Sequence, residues 1–241
     1  MKVAGIIPAR YGSTRFPGKP LAMIGGKTMI RRTFEQASHS SLDAVVVATD
    51  DARIYDEVQR FGGQAVMTRP DHRSGTDRCR EALDLIGQGF DAVVNIQGDE
   101  PFIDPRQIDQ IADLIRQPEV PIATLARLIT DPARVTDSNT VKVVFGNDGN
   151  ALYFSRFAIP FVRGEAKSNH YQHIGIYAYK SDTLRTIAAL PAGQLEQAES
   201  LEQLRWLENG LKIKVAVTDI KANYSIDTPD DLLHLPKELL Q

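Results

Sequence analysis

The sequence predicts an α/β fold, a doubly wound and mostly parallel, Rossmann-like sheet with an inserted antiparallel β-hairpin, on three observations. Short, almost wholly apolar runs such as Ala44-Val45-Val46-Val47-Ala48 and Ala92-Val93-Val94-Asn95-Ile96 alternate with amphipathic helical patterns; unbroken apolarity suits strands covered on both faces of a parallel sheet. Charged and glycine-bearing stretches follow these runs, and in a doubly wound sheet ligands sit beyond the C-terminal strand ends. Near residues 140–180 the alternation gives way to two short runs joined by Gly146-Asn147-Asp148-Gly149, the chemistry of a hairpin turn.

Taken in order, Gly5 to Ala9 is the first strand, and behind it runs the loop Arg10-Tyr11-Gly12-Ser13-Thr14-Arg15-Phe16-Pro17-Gly18-Lys19-Pro20-Leu21. Three cations, flexible glycines and backbone N–H groups in one place are what a triphosphate requires. A solvated basic loop is the alternative on residue types alone. Neither the Walker string nor the Gly-x-Gly-x-x-Gly fingerprint is present, which removes the dinucleotide-dehydrogenase reading its main support.

Thr28 to Ala37 reads as a helix, and a second helix has Ile54, Val58 and Phe61 on one stripe and stops at Gly62-Gly63. After the strand Ala65-Val66-Met67, the loop Arg69 to Arg78 enters a helix carrying Ala82, Leu83 and Ile86, where Ser74 or Thr76 is a candidate cap. The strand Ala92 to Ile96 ends in Gln97-Gly98-Asp99-Glu100-Pro101, so Asp99 is either a turn aspartate or a carboxylate facing the cationic loop. Pro105 to Arg116 is a helix and Ile122 to Leu128 a strand. The hairpin follows, then a polar loop from Arg163 to Asn169 and a strand from His170 to Lys180 with His173, Gly175, Tyr177 and Tyr179 on one face. One helix from about Ala198 to Asn209, closed by Gly210, precedes a strand from Lys212 to Val217. Asp227-Thr228-Pro229 opens the last helix, with Asp227 either part of the cap or a second site carboxylate.

The order of these motifs resembles that of the sugar nucleotidyltransferases, and of the 3-deoxy-manno-octulosonate (Kdo) cytidylyltransferase family in particular. The match runs through Ile-Pro-Ala-Arg-Tyr-x-Ser-Thr-Arg-x-Pro-Gly-Lys-Pro-Leu, His-x-Ser-Gly-Thr-x-Arg, Gln-Gly-Asp-Glu-Pro, Ala-Leu-Tyr-Phe-Ser-Arg, His-x-Gly-x-Tyr-x-Tyr, Leu-Glu-Gln-Leu-Arg and Ile-Asp-Thr-Pro-x-Asp, over residues 5 to 231. The resemblance implies a CTP site at Ala9, Arg10, Ser13, Arg15, Lys19, Ser74, Gly75, Thr76, Arg78 and Gln97. It implies a Kdo site at Gln97, Arg156, His173, Tyr177, Glu202 and Gln203, and Mg²⁺ on Asp99 and Asp227, which with Arg10 and Lys19 form the catalytic set. It also implies CMP transfer to the sugar for lipopolysaccharide synthesis, and a homodimer. A related sugar acid (sialic acid or 8-amino-Kdo) and a non-catalytic nucleotide-binding protein are the rival readings.

Composition sets the remaining bounds. The 241 residues fit one domain over 1–241 with an inserted β-rich dimerisation region at about 140–180. A net charge of -3 from 28 basic and 31 acidic residues gives no whole-surface field for nucleic acid or an anionic membrane. Cys79 is the single cysteine, the first apolar run is too short for a signal peptide core, and no run reaches the roughly 18 residues of a membrane helix. A cytoplasmic protein is expected.

Overall fold

Strand β1 (Val3–Ala9) is apolar along its whole length and buried at all but Pro8. The computed structural model describes residues 1–12, 16–87, 89–164, 168–220, 224 and 226–240. The chain divides into two units, Met1–Ala112 with Ile220–Gln241, and Asp113–Asp219.

In the first unit β1 is followed by a small antiparallel ribbon, β2 (Met23–Ile24) with β3 (Lys27–Thr28), and by helix α1 (Met29–Ser38). β4 (Ala44–Thr49), α2 (Ala52–Arg60), β5 (Gln64–Met67), α3 (Gly75–Leu85), β6 (Ala92–Asn95) and α4 (Pro105–Arg116) follow, the unit boundary falling inside α4. β1 pairs in parallel with β4 on one side and β6 on the other, and β4 pairs in parallel with β5. The strand order β6-β1-β4-β5 therefore places the loops after β1 and β6 side by side at the C-terminal ends. Ile54 and Val58 of α2 and Ala82 and Leu83 of α3 are buried, as their spacing predicts, while Phe61 and Ile86 at the ends of the two stripes are half-buried. Cys79, also on α3, is buried and in no disulfide.

The second unit holds β7 (Ile122–Leu128), α5 (Pro132–Thr136), β8 (Lys142–Phe145), β9 (Ala151–Ser155), β10 (Tyr171–Lys180), α6 (Ser181–Ala188), α7 (Gln194–Glu199), α8 (Gln203–Glu208) and β11 (Ile213–Val217). β8 and β9 form the expected antiparallel hairpin, with the Gly149 N–H donating to the Gly146 carbonyl at 2.9 Å. β7 is antiparallel to β10 and parallel to β11. A bulge between Ile174 and Tyr177 interrupts the β10–β7 register, and the Thr124 hydroxyl occupies it, bonding the Ile176 carbonyl at 2.8 Å. The rings of Phe154, Tyr179 and Trp206 are fully buried, with Tyr179 edge-on to Trp206 at 5.5 Å. Residues 165–167 of the predicted polar loop lie outside the described residues.

The single helix expected from about Ala198 to Asn209 is instead two short ones. Ser200 adopts a left-handed backbone, φ 52°, which ends α7, and the Leu201 N–H turns back to the Glu196 carbonyl at 3.2 Å. Glu202 is then the residue preceding α8 rather than a mid-helix position. A left-handed non-glycine residue leaves no mark in hydrophobic spacing.

The chain returns to the first unit through α9 (Pro229–Leu233). Ile226 and Leu235 pack with Ile24 and Met29 in a small core against which Phe16, Phe102 and Leu232 lie. This core holds the end of the chain to the segment behind the first loop. Among the described residues no helix is long and apolar enough to cross a membrane.

Trp206 is the only tryptophan in the sequence, so its emission reports the second unit. Phe154→Ala removes a fully buried ring that lies 5.1 Å from the His173 ring. It should cost about 3–5 kcal/mol, read as a shift of the urea midpoint followed by tryptophan fluorescence; a midpoint within error of the parent would mean the ring is not part of the core.

Candidate active site

Four segments of the first unit converge beyond the C-terminal ends of β1 and β6: the loop after β1, the start of α3, the turn after β6, and Asp227. They line a cavity of about 260 Å³ whose wall includes Ala9, Arg10, Lys19, His72, Arg73, Ser74, Gly75, Arg78, Gln97, Asp99 and Asp227.

Two glycines make this convergence possible. A Cβ on Gly98 would sit 2.9 Å from the Pro8 carbonyl, so only glycine lets the turn after β6 run that close to β1. Gly18 has φ 72° and donates its N–H to the Tyr11 carbonyl at 3.0 Å, with the Tyr11 ring lying where its Cβ would be. Tyr11 is in turn covered by the Arg53 guanidinium, 3.3 Å from the ring centre, and Arg53 is held by Asp51, the cap of α2. Those hydrogen bonds from Arg53 hold the Asp51 carboxyl below its usual range. The loop is thus fixed to α2 through Tyr11, for which the sequence pattern predicts no role. Ser13 and Arg15, expected in the CTP site, lie outside the described residues.

Lys19 is the centre of the arrangement. Its Nζ donates to Asp99 Oδ2 at 2.7 Å and to the Ile226 carbonyl at 2.8 Å, and it lies 3.4 Å from Asp227 Oδ1. The Ile226 N–H bonds the Asp99 carbonyl at 3.2 Å. Two aspartates distant in sequence therefore share one cation. At the start of α9 the capping acceptor is Asp231, whose Oδ2 accepts from the Thr228 N–H and hydroxyl and from the Asp227 N–H, at 2.7, 3.0 and 2.8 Å, while the Asp227 carboxylate faces Lys19. These contacts hold the Asp231 carboxyl below its usual range.

On the α3 side, Ser74 does cap the helix, its Oγ accepting from the Asp77 N–H at 3.1 Å, and it also lies on the cavity wall. Thr76 is buried and away from the wall. Arg78 reaches the wall but is already engaged, donating to Asp50 at 3.2 Å and to the Thr68 hydroxyl at 2.5 Å. His72 and Arg73, outside the expected set, line the cavity as well. The His72 ring is hydrogen-bonded to Glu81. Burial raises the Glu81 carboxyl, but the bonds from His72 and the Arg69 N–H outweigh it and hold the group below its usual range.

Of the residues expected at the sugar, Gln97 lies on the wall of the first unit's cavity, and Arg156, His173, Tyr177, Glu202 and Gln203 lie in the second unit. His173 Nε2 is 2.9 Å from the Thr124 hydroxyl, and its ring meets Tyr177 at 5.2 Å. Gln203 is buried. The buried Tyr177 hydroxyl has no hydrogen-bond partner among the described residues. Burial, with Tyr179 and Glu202 nearby, pushes it well above the ordinary phenol range. Glu202 accepts from Arg205 at 2.8 Å. The Arg156 guanidinium bonds the carbonyls of Glu199, Ser138 and Ser200, at 2.7, 3.1 and 3.4 Å.

His173 gives this region a pH signature. Burial pushes its imidazole down to about 3 from an ordinary 6.5. Between those values the unfolded chain binds the extra proton, so stability falls as pH drops below about 6.5 and gains nothing above it. His173→Gln should flatten that acid-side loss by up to about 1.4 kcal/mol per pH unit. Urea midpoints taken at about pH 7 and about pH 4.5 check this; parallel losses in parent and variant would show that His173 is not held neutral.

The sequence pattern of the cytidylyltransferase family matches residues 4–213. A 3-deoxy-manno-octulosonate cytidylyltransferase of Bacteroides thetaiotaomicron is 55% identical over 97% of this chain and 96% of its own. An 8-amino-3,8-dideoxy-manno-octulosonate cytidylyltransferase of Shewanella frigidimarina is 52% identical, over 96% of each chain. The solved structure of a CMP:2-keto-3-deoxy-manno-octonic acid synthetase complexed with CTP superposes with a TM-score of 0.91 at 44% identity, over 97% of this chain and 96% of that one. With that pattern covering most of its length and relatives of such identity from end to end, this chain belongs to the cytidylyltransferase family.

Proposed function

We propose that the chain transfers CMP from CTP to the anomeric hydroxyl of Kdo, releasing pyrophosphate, as a cytoplasmic step of lipopolysaccharide synthesis. The observation that carries the chemistry is Lys19 held against both Asp99 and Asp227 on the wall of a cavity that also holds Arg10 and the start of α3. The 55% identity to a Kdo enzyme over nearly the whole chain carries the sugar.

The sugar hydroxyl oxygen attacks the α-phosphorus, the bond to the β-phosphate oxygen breaks, and the hydroxyl proton leaves to solvent. Arg10 offsets phosphate charge directly, Lys19 contributes through its field from between Asp99, Asp227 and the Ile226 carbonyl, and the N–H groups at the start of α3 suit an anion. No protein nucleophile is needed, so placement and charge neutralisation dominate.

Asp99 and Asp227 fit Mg²⁺. Their donors are hard carboxylate oxygens, and the two now share the Lys19 ammonium as their counter-charge. Among the described residues no three His, Cys, Asp or Glu side chains gather into a metal cage, so an ion held by these two carboxylates would have to complete its shell with water and phosphate oxygens. Bound there, Mg²⁺ would neutralise phosphate charge and polarise the α-phosphate. In the second unit Arg156 is the partner for the sugar carboxylate, while the unpartnered Tyr177 hydroxyl, with His173, Glu202 and Gln203, serves the sugar hydroxyls.

A pyrophosphate-release assay with CTP, Mg²⁺ and Kdo tests this. Asp99→Asn and Asp227→Asn should fold and lose turnover by several orders of magnitude, the double variant being scarcely worse than either single one. Lys19→Ala should weaken CTP binding or turnover by roughly 10- to 100-fold. No pyrophosphate from the parent leaves only nucleotide binding, and faster turnover of 8-amino-Kdo in a parallel assay would transfer the reading to that sugar.

A homodimer is part of the same proposal. Leu152, Phe157 and Phe161, on and just after the hairpin, are 66%, 77% and 84% exposed, large apolar side chains that a second copy would cover. Light scattering should give about twice 26.7 kDa at micromolar concentration; a monomer mass would remove this part of the proposal.

A further inference from the structure

Lys142 is 0% exposed, and its ammonium donates to three backbone carbonyls, those of Asp137 at 2.9 Å, Thr140 at 2.5 Å and Arg156 at 2.5 Å. An ammonium has three N–H donors, so none remains for a ligand. A neutral amine has only two, so the arrangement requires the charged form. Burying that charge is costly unless its hydrogen bonds are met, and here all three go to main chain.

One of those carbonyls belongs to Arg156, and the other polar groups of that residue are fixed as well. Its N–H donates to Glu199 Oε2 at 2.9 Å, while the second Glu199 oxygen accepts from the buried Ser155 hydroxyl at 2.6 Å. Ser155 Oγ in turn accepts from the Phe157 N–H at 2.9 Å. The guanidinium is held by the carbonyls of Glu199, Ser138 and Ser200. Ser138 lies in the 137–140 loop that Lys142 ties down, and Ser200 owes its place to the left-handed turn after Glu199. Arginine has five N–H donors; three are used among the described residues, leaving one on each terminal nitrogen. An arginine merely covering surface would not have its carbonyl, N–H and guanidinium each fixed by a separate element.

We propose that Lys142 and Glu199 are positioning residues for Arg156, holding its two spare N–H groups ready for the carboxylate of the sugar acid. The proposal rests on the reading of Arg156 as the carboxylate's partner. Neither residue touches the sugar, and each acts through the placement of Arg156.

Steady-state kinetics with Kdo varied at saturating CTP, and the reverse, test it. Arg156→Ala comes first and should raise KM for Kdo about 10- to 100-fold; an unchanged KM would mean that the reading of the sugar site has failed. With that effect in hand, Glu199→Ala should raise KM for Kdo by about 10-fold, leave KM for CTP near the parent value, and add little to Arg156→Ala in the double variant. Glu199→Gln keeps one acceptor and should recover part of the loss, and it carries the test alone if the alanine variant does not fold. Lys142→Met should show the same split between the two substrates. The proposal for either residue is overturned if its folded variants leave KM for Kdo unchanged, or raise both KM values together as a general loss of packing would.

Discussion

The Lys19 ammonium is the contact on which the first unit depends. It ties the loop after β1 to the turn after β6 and to the carbonyl of Ile226, three segments that are far apart in sequence. Two aspartates facing one cavity repel unless a cation stands between them, and Lys19 supplies it. Its side chain is only 14% exposed, so the attraction is screened less than at an open surface. The apolar contacts of Ile226 and Leu235 with Ile24 and Met29 bring the chain's end into place, and the ammonium then fixes the direction in which Asp227 faces.

That contact needs close backbone approach, and the parallel pairing of β1 with β6 provides it. The register aligns Ile6 with Asn95, so Pro8 and Gly98 leave the two strands together, with a gap that admits no side chain. The site is in this sense a product of strand order. Adjacent parallel strands end on the same side, and the charged turns that follow them must share the space there.

Most of the fold was legible because hydrophobic spacing is a record of burial, and the strands and helices around β1, β4 and β6 are buried where that spacing says. The break at Ser200 was not legible, since a single left-handed serine changes the direction of the chain without changing the order of leucines around it. Short elements such as β2, β3 and α5 bury too little to leave a pattern. The role of Tyr11 depends on a contact with Arg53 across the loop, and that of Asp231 on which of three neighbouring acids turns back to the cap. Grouping Lys19, Asp99 and Asp227 comes from family resemblance; residue pattern alone makes Lys19 a loop cation and leaves Asp99 open between a turn and a site carboxylate and Asp227 between a cap and a site carboxylate, because long-range convergence is not written in local sequence.

The two units handle charge in opposite ways. In the first, Arg10 and Arg73 stand on the cavity wall with no ion-pair partner among the described residues, so their fields are open to an anion. In the second, Lys142 is saturated by main-chain carbonyls and its charge is spent on shape, while carbonyls hold the Arg156 guanidinium in place through three of its five N–H groups. A net charge of -3 describes neither arrangement. Anion affinity follows from which cations are left without counter-charges and desolvated together, and the same residue type becomes a ligand site or a structural tie according to whether carbonyls reach it first.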